Sequence, residues 1–534
     1  MTAAVPFTGG AALLRFAMRR DRRRLLIWVL ALAGVTVYTT AALGAVYPTD
    51  ASRQARAAVM QTPAGILLSG PGFGTSHYTL GAMTANELGL SAMVAIAILS
   101  IQVVVRHTRA EEEGGGAELL LTGAVGRRAP LTMALGLAAL ADCAVALVVG
   151  AGLAGSGLAV VDSVALALGW ALTGLVFAGV AAVAAQVFES ARAATGTALA
   201  VLGVAAVVRG VGDVLHSGGS ALSWLSPIAW AQQTRAFVDL RWTPLLLSVA
   251  ATGALVAAAY RLGRHRDVGA GLLAPRRGPA VASPYLAGPT ALYARLQRGS
   301  LIGWAVALFL LGATFGSLTD SVVSMVRQNA LLARMFAATG ADVPDSFTAA
   351  TTIEFGLAAA AFAVASLLRL RSEESTGRAE LLLAMPLERR RLLGAGVAVS
   401  ALGAGVLLLA AGVGDGLAAA AVSGDGGLVG RDVGAALVHL PAVLVVTGVA
   451  ALLVGLAPRL ASLAWLLVVW ALLAGMFGAL LGLPPWALKL SPFGWTPKVP
   501  AENVALGPLA GLLIVAGALL LAALAAFRRR DVPA

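Results

Sequence analysis

The chain has 534 residues, of which 59% are hydrophobic and 12% charged, with a mean hydropathy of +0.87 and a formal net charge of +12. Soluble domains carry about 25% charged residues, so a water-soluble protein of this size would leave far too much apolar surface uncovered. The positive charge is no nucleic-acid footprint, because the arginines cluster at the ends of apolar runs, and a single cysteine, Cys143, excludes an internal disulfide. Cys143 lies inside an apolar run and is expected to serve only packing.

The first apolar run, 25–46, follows six arginines between positions 15 and 24. It is too long for a secretory h-region of about 7–15 residues, and 298–316 repeats its pattern in mid-chain, so it is expected to be a retained span. Five more runs follow at 87–105, 130–154, 161–187, 194–213 and 244–262, and six others at 301–319, 353–370, 392–414, 433–456, 460–482 and 507–527. Runs near 20 residues cross a hydrocarbon core of about 30 Å as helices, which satisfy their own backbone hydrogen bonds. The expected fold is an all-α polytopic membrane protein with twelve transmembrane helices. Outer loops are expected at 47–86, with some helical character, and at 320–352.

Between the second and third spans of each half the same polar passage recurs. Residues 109–128 read RAEEEGGGAELLLTGAVGRR and residues 371–390 read RSEESTGRAELLLAMPLERR, identical at 11 of 20 positions. Further pairs are Glu-Leu-Gly-Leu at 87–90 with Glu-Phe-Gly-Leu at 354–357, Leu-Ser-Pro-Ile-Ala-Trp at 225–230 with Leu-Ser-Pro-Phe-Gly-Trp at 490–495, and Arg-His-Arg-Asp-Val at 264–268 with Arg-Arg-Arg-Asp-Val at 528–532. Six spans is an even number, so both copies enter the membrane the same way: two parallel six-helix repeats. The expected division is 1–268, a Gly/Pro-rich cytoplasmic linker 269–289, and 290–534. With the N-terminus inside, 28 of the 38 Lys and Arg fall on inner segments, so both termini and both polar passages are expected in the cytoplasm of a plasma-membrane protein.

The passage starts acidic, continues with leucines at 119–121 or 381–383, and ends in Arg-Arg, as a short amphipathic docking helix would. Gly116 stands where the second copy has Arg378, so the first copy is the looser of the two. Arginine-rich segments 11–24 and 290–300 precede the first span of each half and have the composition of helices lying in the headgroup layer.

Pro227 and Pro492 are expected to end helical runs, and Trp230 and Trp495 suit the outer interface. Glu87, Glu354 and Asp142 lie within or beside spans; the two glutamates either line a translocation path or hold loop backbone at the interface. Arg209 and Asp213 are one helical turn apart and are expected to pair. His216 and His439 are isolated, no metal-ligand spacing exists, and no nucleophile–base pair is apparent.

The E-E-x-x-G-x-x-E-L-L-L passages, the twelve-span layout and the R-x-R-D-V unit ends resemble the permease of actinobacterial ABC-2 type exporters (type V exporter fold). In particular they are similar to the exporters of polyketide antibiotics of the tetronasin type. The resemblance implies that Glu111, Glu112, Gly115, Glu118, Glu373, Glu374, Gly377 and Glu380 couple to a separate ATPase. It also implies short re-entrant helices around Pro227, Trp230, Pro492 and Trp495, acting as an outer gate. A P-loop needs G-x-x-x-x-G-K-[ST], and neither lysine, Lys489 or Lys498, follows a glycine. ATP and Mg are therefore expected on partner ATPase subunits, two per permease chain, with no cofactor held here. The expected function is export of lipophilic or amphiphilic molecules such as antibiotics. A proton-coupled transporter of six plus six spans is the alternative; it calls for protonatable groups deep in the spans.

Overall fold

The computed structural model of the chain describes residues 7–123, 125–216, 218–273, 278, 280–281, 283–286, 288–328, 342–375, 377, 380, 384, 387–477 and 483–530. Arg378, 381–383, residues 531–532 of the second R-x-R-D-V, 329–341 of the second outer loop and 478–482 of the eleventh expected span lie outside them. The chain divides into two compact units, Met1–Gly278 and Pro279–Ala534. The boundary falls within the Gly/Pro-rich stretch. Among the described residues there are helices and no strand, and twelve helices are long and apolar enough to cross a membrane.

In the first unit the elements are α1 (Gly10–Val46), α2 (Asp50–Met60), α3 (Pro63–Ser69), α4 (Leu80–His107), α5 (Arg109–Glu113), α6 (Gly116–Leu121), α7 (Ala129–Gly155), α8 (Val160–Val187), α9 (Ala191–Leu215), α10 (Pro227–Gln232) and α11 (Pro244–Leu262). Local chemistry sets the boundaries. The side chains of Thr49, Thr79 and Ser190 accept backbone N–H bonds at the starts of α2, α4 and α9, and proline occupies the first turn of α7 and α11. The Arg-rich segment 11–24 is not a separate headgroup-layer helix. No glycine or proline interrupts residues 11–33, so it runs without a break into the first span. At 37 residues α1 is about 55 Å long, well beyond the hydrocarbon core, so one end must project from it.

α8 is the axis of this unit, packed against α4, α7 and α11. Its small residues Gly169, Gly174, Ala178, Ala181 and Ala185 let these neighbours approach, while Trp170 and Phe177 fill the remaining space. Leu26, Ile27 and Leu30 of α1 are about 60% exposed, an apolar face suited to lipid. Cys143, expected as packing, is exposed on α7 instead.

The second unit contains α12 (Pro289–Gln328), α13 (Val343–Ser375), α14 (Arg389–Ser423), α15 (Gly427–Leu437), α16 (Leu440–Leu456), α17 (Ala464–Phe477), α18 (Pro485–Leu488) and α19 (Leu506–Arg529). Segment 290–300 is likewise the start of the continuous 40-residue α12. The neighbour relations of the first unit recur: first span on third, second on fourth, fourth on sixth. One difference is the fourth span. It is continuous as α8, but the second unit breaks it between α15 and α16, where Pro441 follows His439 and cannot continue the hydrogen-bond ladder.

The tightest seam in the second unit joins α12 to α14. A Cβ on Gly312 would fall 2.2 Å from the Ala411 carbonyl oxygen, one on Gly316 2.0 Å from that of Asp415, and one on Gly414 2.1 Å from that of Phe309. These notches let two helix backbones touch, the small-xxx-small geometry of membrane helix pairs. Gly316→Leu is expected to lower stability by about 1–3 kcal/mol or to prevent folding, through overpacking. Gly303→Leu on the same helix, where a Cβ meets nothing within 4 Å, is expected to be silent. Thermal melting in detergent checks the contrast.

Candidate functional site

The polar passage of the first unit folds as two short helices, α5 and α6, rather than one amphipathic helix. The break is at Gly115, whose φ of +72° is left-handed and open to glycine at little cost. Gly377 has the same φ of +72°, and in both copies this glycine's N–H donates to the carbonyl of the second glutamate, Gly115 to Glu112 at 3.1 Å and Gly377 to Glu374 at 3.0 Å.

Three consecutive glutamates of the first copy each hold a different segment of the chain. Glu111 pairs with Arg20 of α1 at 2.6 Å. Glu113 Oε1 accepts the backbone N–H of Ala191 at 3.0 Å, capping the start of α9, where a helix favours negative charge. Glu112 is the centre. Arg266 grips both its oxygens, at 2.7 and 2.5 Å, and Arg109 reaches it at 3.0 Å. Arg109 is fully buried and also donates to the carbonyls of Ala185, at the end of α8, and Ala270, just past the R-x-R-D-V. Arg266 adds Gln186 at 2.8 Å. The clamp thus ties the end of the second span to the ends of the fourth and sixth.

The second copy builds the same clamp. Glu374, its side chain 1% exposed, pairs with Arg530 at 2.7 Å and with Arg371 at 3.6 Å. Arg530 also donates to the Val454 carbonyl near the end of α16. In each unit the first arginine of the closing Arg-Arg donates to the backbone carbonyl of the clamp arginine, Arg127 to Arg266 and Arg389 to Arg530. Arg109 with Arg371, Glu112 with Glu374 and Arg266 with Arg530 are repeat mates, so the duplicated passage and the duplicated unit end are two halves of one device. The sequence showed both halves; only folding joins them across more than 150 residues.

Of the eight residues expected to couple to a partner, Glu374 is buried and Glu112 half-buried in these clamps, and Glu111 is engaged with Arg20. Gly115 and Gly377 shape the turns. Glu118 and Glu380 are exposed, and Leu119 beside Glu118 is 78% exposed. Glu373 lies on the last turn of α13, half-buried.

The S-P-x-x-W segments are also alike. Pro227 opens α10 and Pro492 opens a 3-10 turn, each in the first turn of its helix; they do not end helical runs, because the missing proline N–H is needed least there. Ser226 and Ser491 accept the N–H two residues on. The Trp230 indole donates to the Trp224 carbonyl at 2.7 Å and the Trp495 indole to that of Lys489 at 2.9 Å, each six residues back.

Glu87 is held by Arg56 of α2 through two bonds of 2.9 Å, fastening α2 to α4. Burial opposes the Arg56 charge, but the Glu87 carboxylate outweighs it and keeps the guanidinium more basic than usual. Burial raises the Tyr78 hydroxyl, and the Glu87 charge raises it further. Glu354 is half-buried near the start of α13. Asp142 is fully buried, with both its oxygens 2.8–2.9 Å from Ser100 Oγ and Gly174 pressed against it. Arg209 and Asp213 do pair, at 3.4 Å, and Arg209 also binds the Ile66 carbonyl at 3.2 Å, a loop-anchoring role that the i, i+4 spacing alone did not reveal. No group of three potential metal ligands occurs among the described residues.

Apolar spanning helices in two units, joined by clamped polar turns, define a polytopic helical permease. Multidrug efflux system permease protein Rv1217c of Mycobacterium tuberculosis (strain ATCC 25618 / H37Rv) is 42% identical over 535 residues, spanning 98% of this chain and 96% of the relative. The family model for the C-terminal domain of multidrug efflux system permease Rv1217c matches residues 286–528. The chain belongs to the Rv1217c family of multidrug efflux system permeases.

Removing one partner of a buried ion pair leaves the other uncompensated, so Glu374→Ala is expected to cost about 3–5 kcal/mol. The exchange Glu374→Arg with Arg530→Glu is expected to recover part of that loss, as read by melting temperature and by protease nicking of the loop after α13.

Proposed function

We propose that this chain is the membrane subunit of an ATP-driven exporter of the ABC-2 type, moving lipophilic or amphiphilic drugs and antibiotics out of the cell. Kinship with a multidrug efflux permease supports the cargo class, and the tetronasin-type passages support the ABC-2 assignment. The observation that carries the reading is the duplicated clamp. Each polar turn keeps an exposed glutamate, Glu118 or Glu380, while its base is locked to the ends of three spans in the first unit and of at least the second and fourth in the other.

Such a turn is a lever. A soluble ATPase that docks on its exposed face and moves on binding ATP and Mg would displace several span ends together, because the clamp leaves them little independent freedom. Two turns per chain call for two ATPase subunits, on the cytoplasmic side with both termini. In this reading Glu118, Leu119 and Glu380 meet the partner, whereas Glu112 and Glu374 transmit the movement. The S-P-x-x-W turns, each stapled by its own indole, serve as small rigid gate elements at the outer face. Glu87 belongs to the fastening of the outer loop, and Asp142 to the packing of α4, α7 and α8; neither needs to contact cargo.

Glu118→Arg with Leu119→Asp, combined with Glu380→Arg, is expected to reduce co-purification of the ATPase by about tenfold or more, the range of interface hot spots, and to abolish drug resistance with the melting temperature unchanged. Intact association and resistance in that variant overturn the docking proposal. Efflux that stops when the proton gradient collapses while ATP stays high places the chain among proton-coupled transporters instead.

A further inference from the structure

The starts of α1 and α7 and the ends of α4 and α11 enclose a cleft of about 380 Å³ in the first unit. One wall is apolar, with Leu13, Phe16, Leu131 and Tyr260, and Phe16 is 60% exposed. The other is cationic, and its charges are not balanced. The two cleft carboxylates are already taken: Glu111 by Arg20, and Glu112 by Arg109 and Arg266. Arg127 donates to a backbone carbonyl, and Arg128 lies over the Phe7 ring at 5.5 Å. Arg264, also in the lining, is exposed and has no acidic partner among the described residues. Three guanidiniums, Arg127, Arg128 and Arg264, therefore line the cleft with no carboxylate paired to them among the described residues.

We propose that this cleft binds the phosphodiester headgroup of an anionic phospholipid, with the glycerol and upper acyl chain lying along Phe16 and Leu131. Consecutive spans alternate in direction, so the four helix ends that form the cleft lie at one membrane face, at the depth where the apolar runs stop and lipid phosphates begin. The arginine fork offers paired N–H donors that match phosphate oxygens. Basic pockets at this level between membrane helices take anionic headgroups. A free anion would make no use of the apolar wall, and the half-apolar, half-cationic lining matches an amphiphile in the orientation the bilayer imposes. The lipid would touch α1 and the base of α6, so it would stiffen the same joint that Glu111 and Arg20 make. The proposal is independent of energy source and cargo, because its primary readout is lipid retained by the permease alone.

The test uses the purified full chain in nanodiscs of phosphatidylcholine with about one quarter phosphatidylglycerol, followed by detergent extraction and native mass spectrometry of retained lipid. The wild-type chain is expected to retain phosphatidylglycerol in preference to phosphatidylcholine. Arg128→Gln with Arg264→Gln is expected to lose that preference by about tenfold or more, given the usual attraction per basic side chain at a membrane surface. Arg528→Gln with Arg529→Gln, which removes the same formal charge from the second unit, is expected to leave it intact. Should the pair disturb folding, Arg264→Gln alone, at an exposed position, is expected to give a loss of about threefold. Unchanged retention in the cleft variants overturns the proposal. Displacement of the lipid by inorganic phosphate overturns it in favour of a free-anion site. Loss of ATPase association with lipid retention intact overturns it in favour of a docking site for an acidic protein segment.

Discussion

The carboxylate–guanidinium clamp at Glu112 and Glu374 is the constraint on which the rest of this architecture depends. Apolar packing inside a bilayer has little power to choose between helix arrangements, because lipid is as apolar as a leucine side chain. At the membrane border a charge that leaves water must be matched, and there are few ways to match it. Glu112 has Arg109 and Arg266, and Glu374 has Arg371 and Arg530. A buried ion pair of this kind adds little net stability over a well-packed apolar contact. What it does add is position: the loop between the second and third spans can occupy one place relative to the fourth and sixth.

Duplication gave the two units the same framework and left each free to vary its details. The left-handed glycines, the clamps and the back-bonded tryptophans are shared. The joints below the first span are not. In the first unit Asp21 of α1 is buried against His107 and Arg106, an ionic contact, whereas in the second Gln297 of α12 donates to the Ser366 carbonyl, a neutral one. The first passage also has a third glutamate, Glu113, that caps α9, where the second has Ser375. The two turns therefore rest on similar bases with different charge.

Much of this was legible in the sequence. Twelve runs near 20 residues have one physical meaning, and each falls on a helical segment long and apolar enough to cross a membrane, with the tenth broken between α15 and α16 and the eleventh described only as far as Phe477. The pairing of Arg209 with Asp213 followed from helical periodicity. Other readings went astray for identifiable reasons. Segments 11–24 and 290–300 have the composition of surface helices, but composition does not show where a helix ends, and nothing breaks them. Pro227 and Pro492 stop one helix in principle and start another equally well; the serine before each, which accepts the next free N–H, selects the start.

Sequence by itself determined the membrane-spanning class and the count of spans, and it showed the repeated passages, because these depend on local apolar length and on matching segments along the chain. It also showed Arg109, Glu112 and Arg266 recurring with their mates in the second half. Their purpose was decided only by tertiary structure. A buried glutamate and an exposed one read alike in a sequence, and the arginine that distinguishes Glu112 from Glu118 lies 154 residues away at the end of the sixth span. Charge compensation acts through space and falls off within a few ångströms, so the fold alone determines which carboxylates are committed inside and which stay exposed.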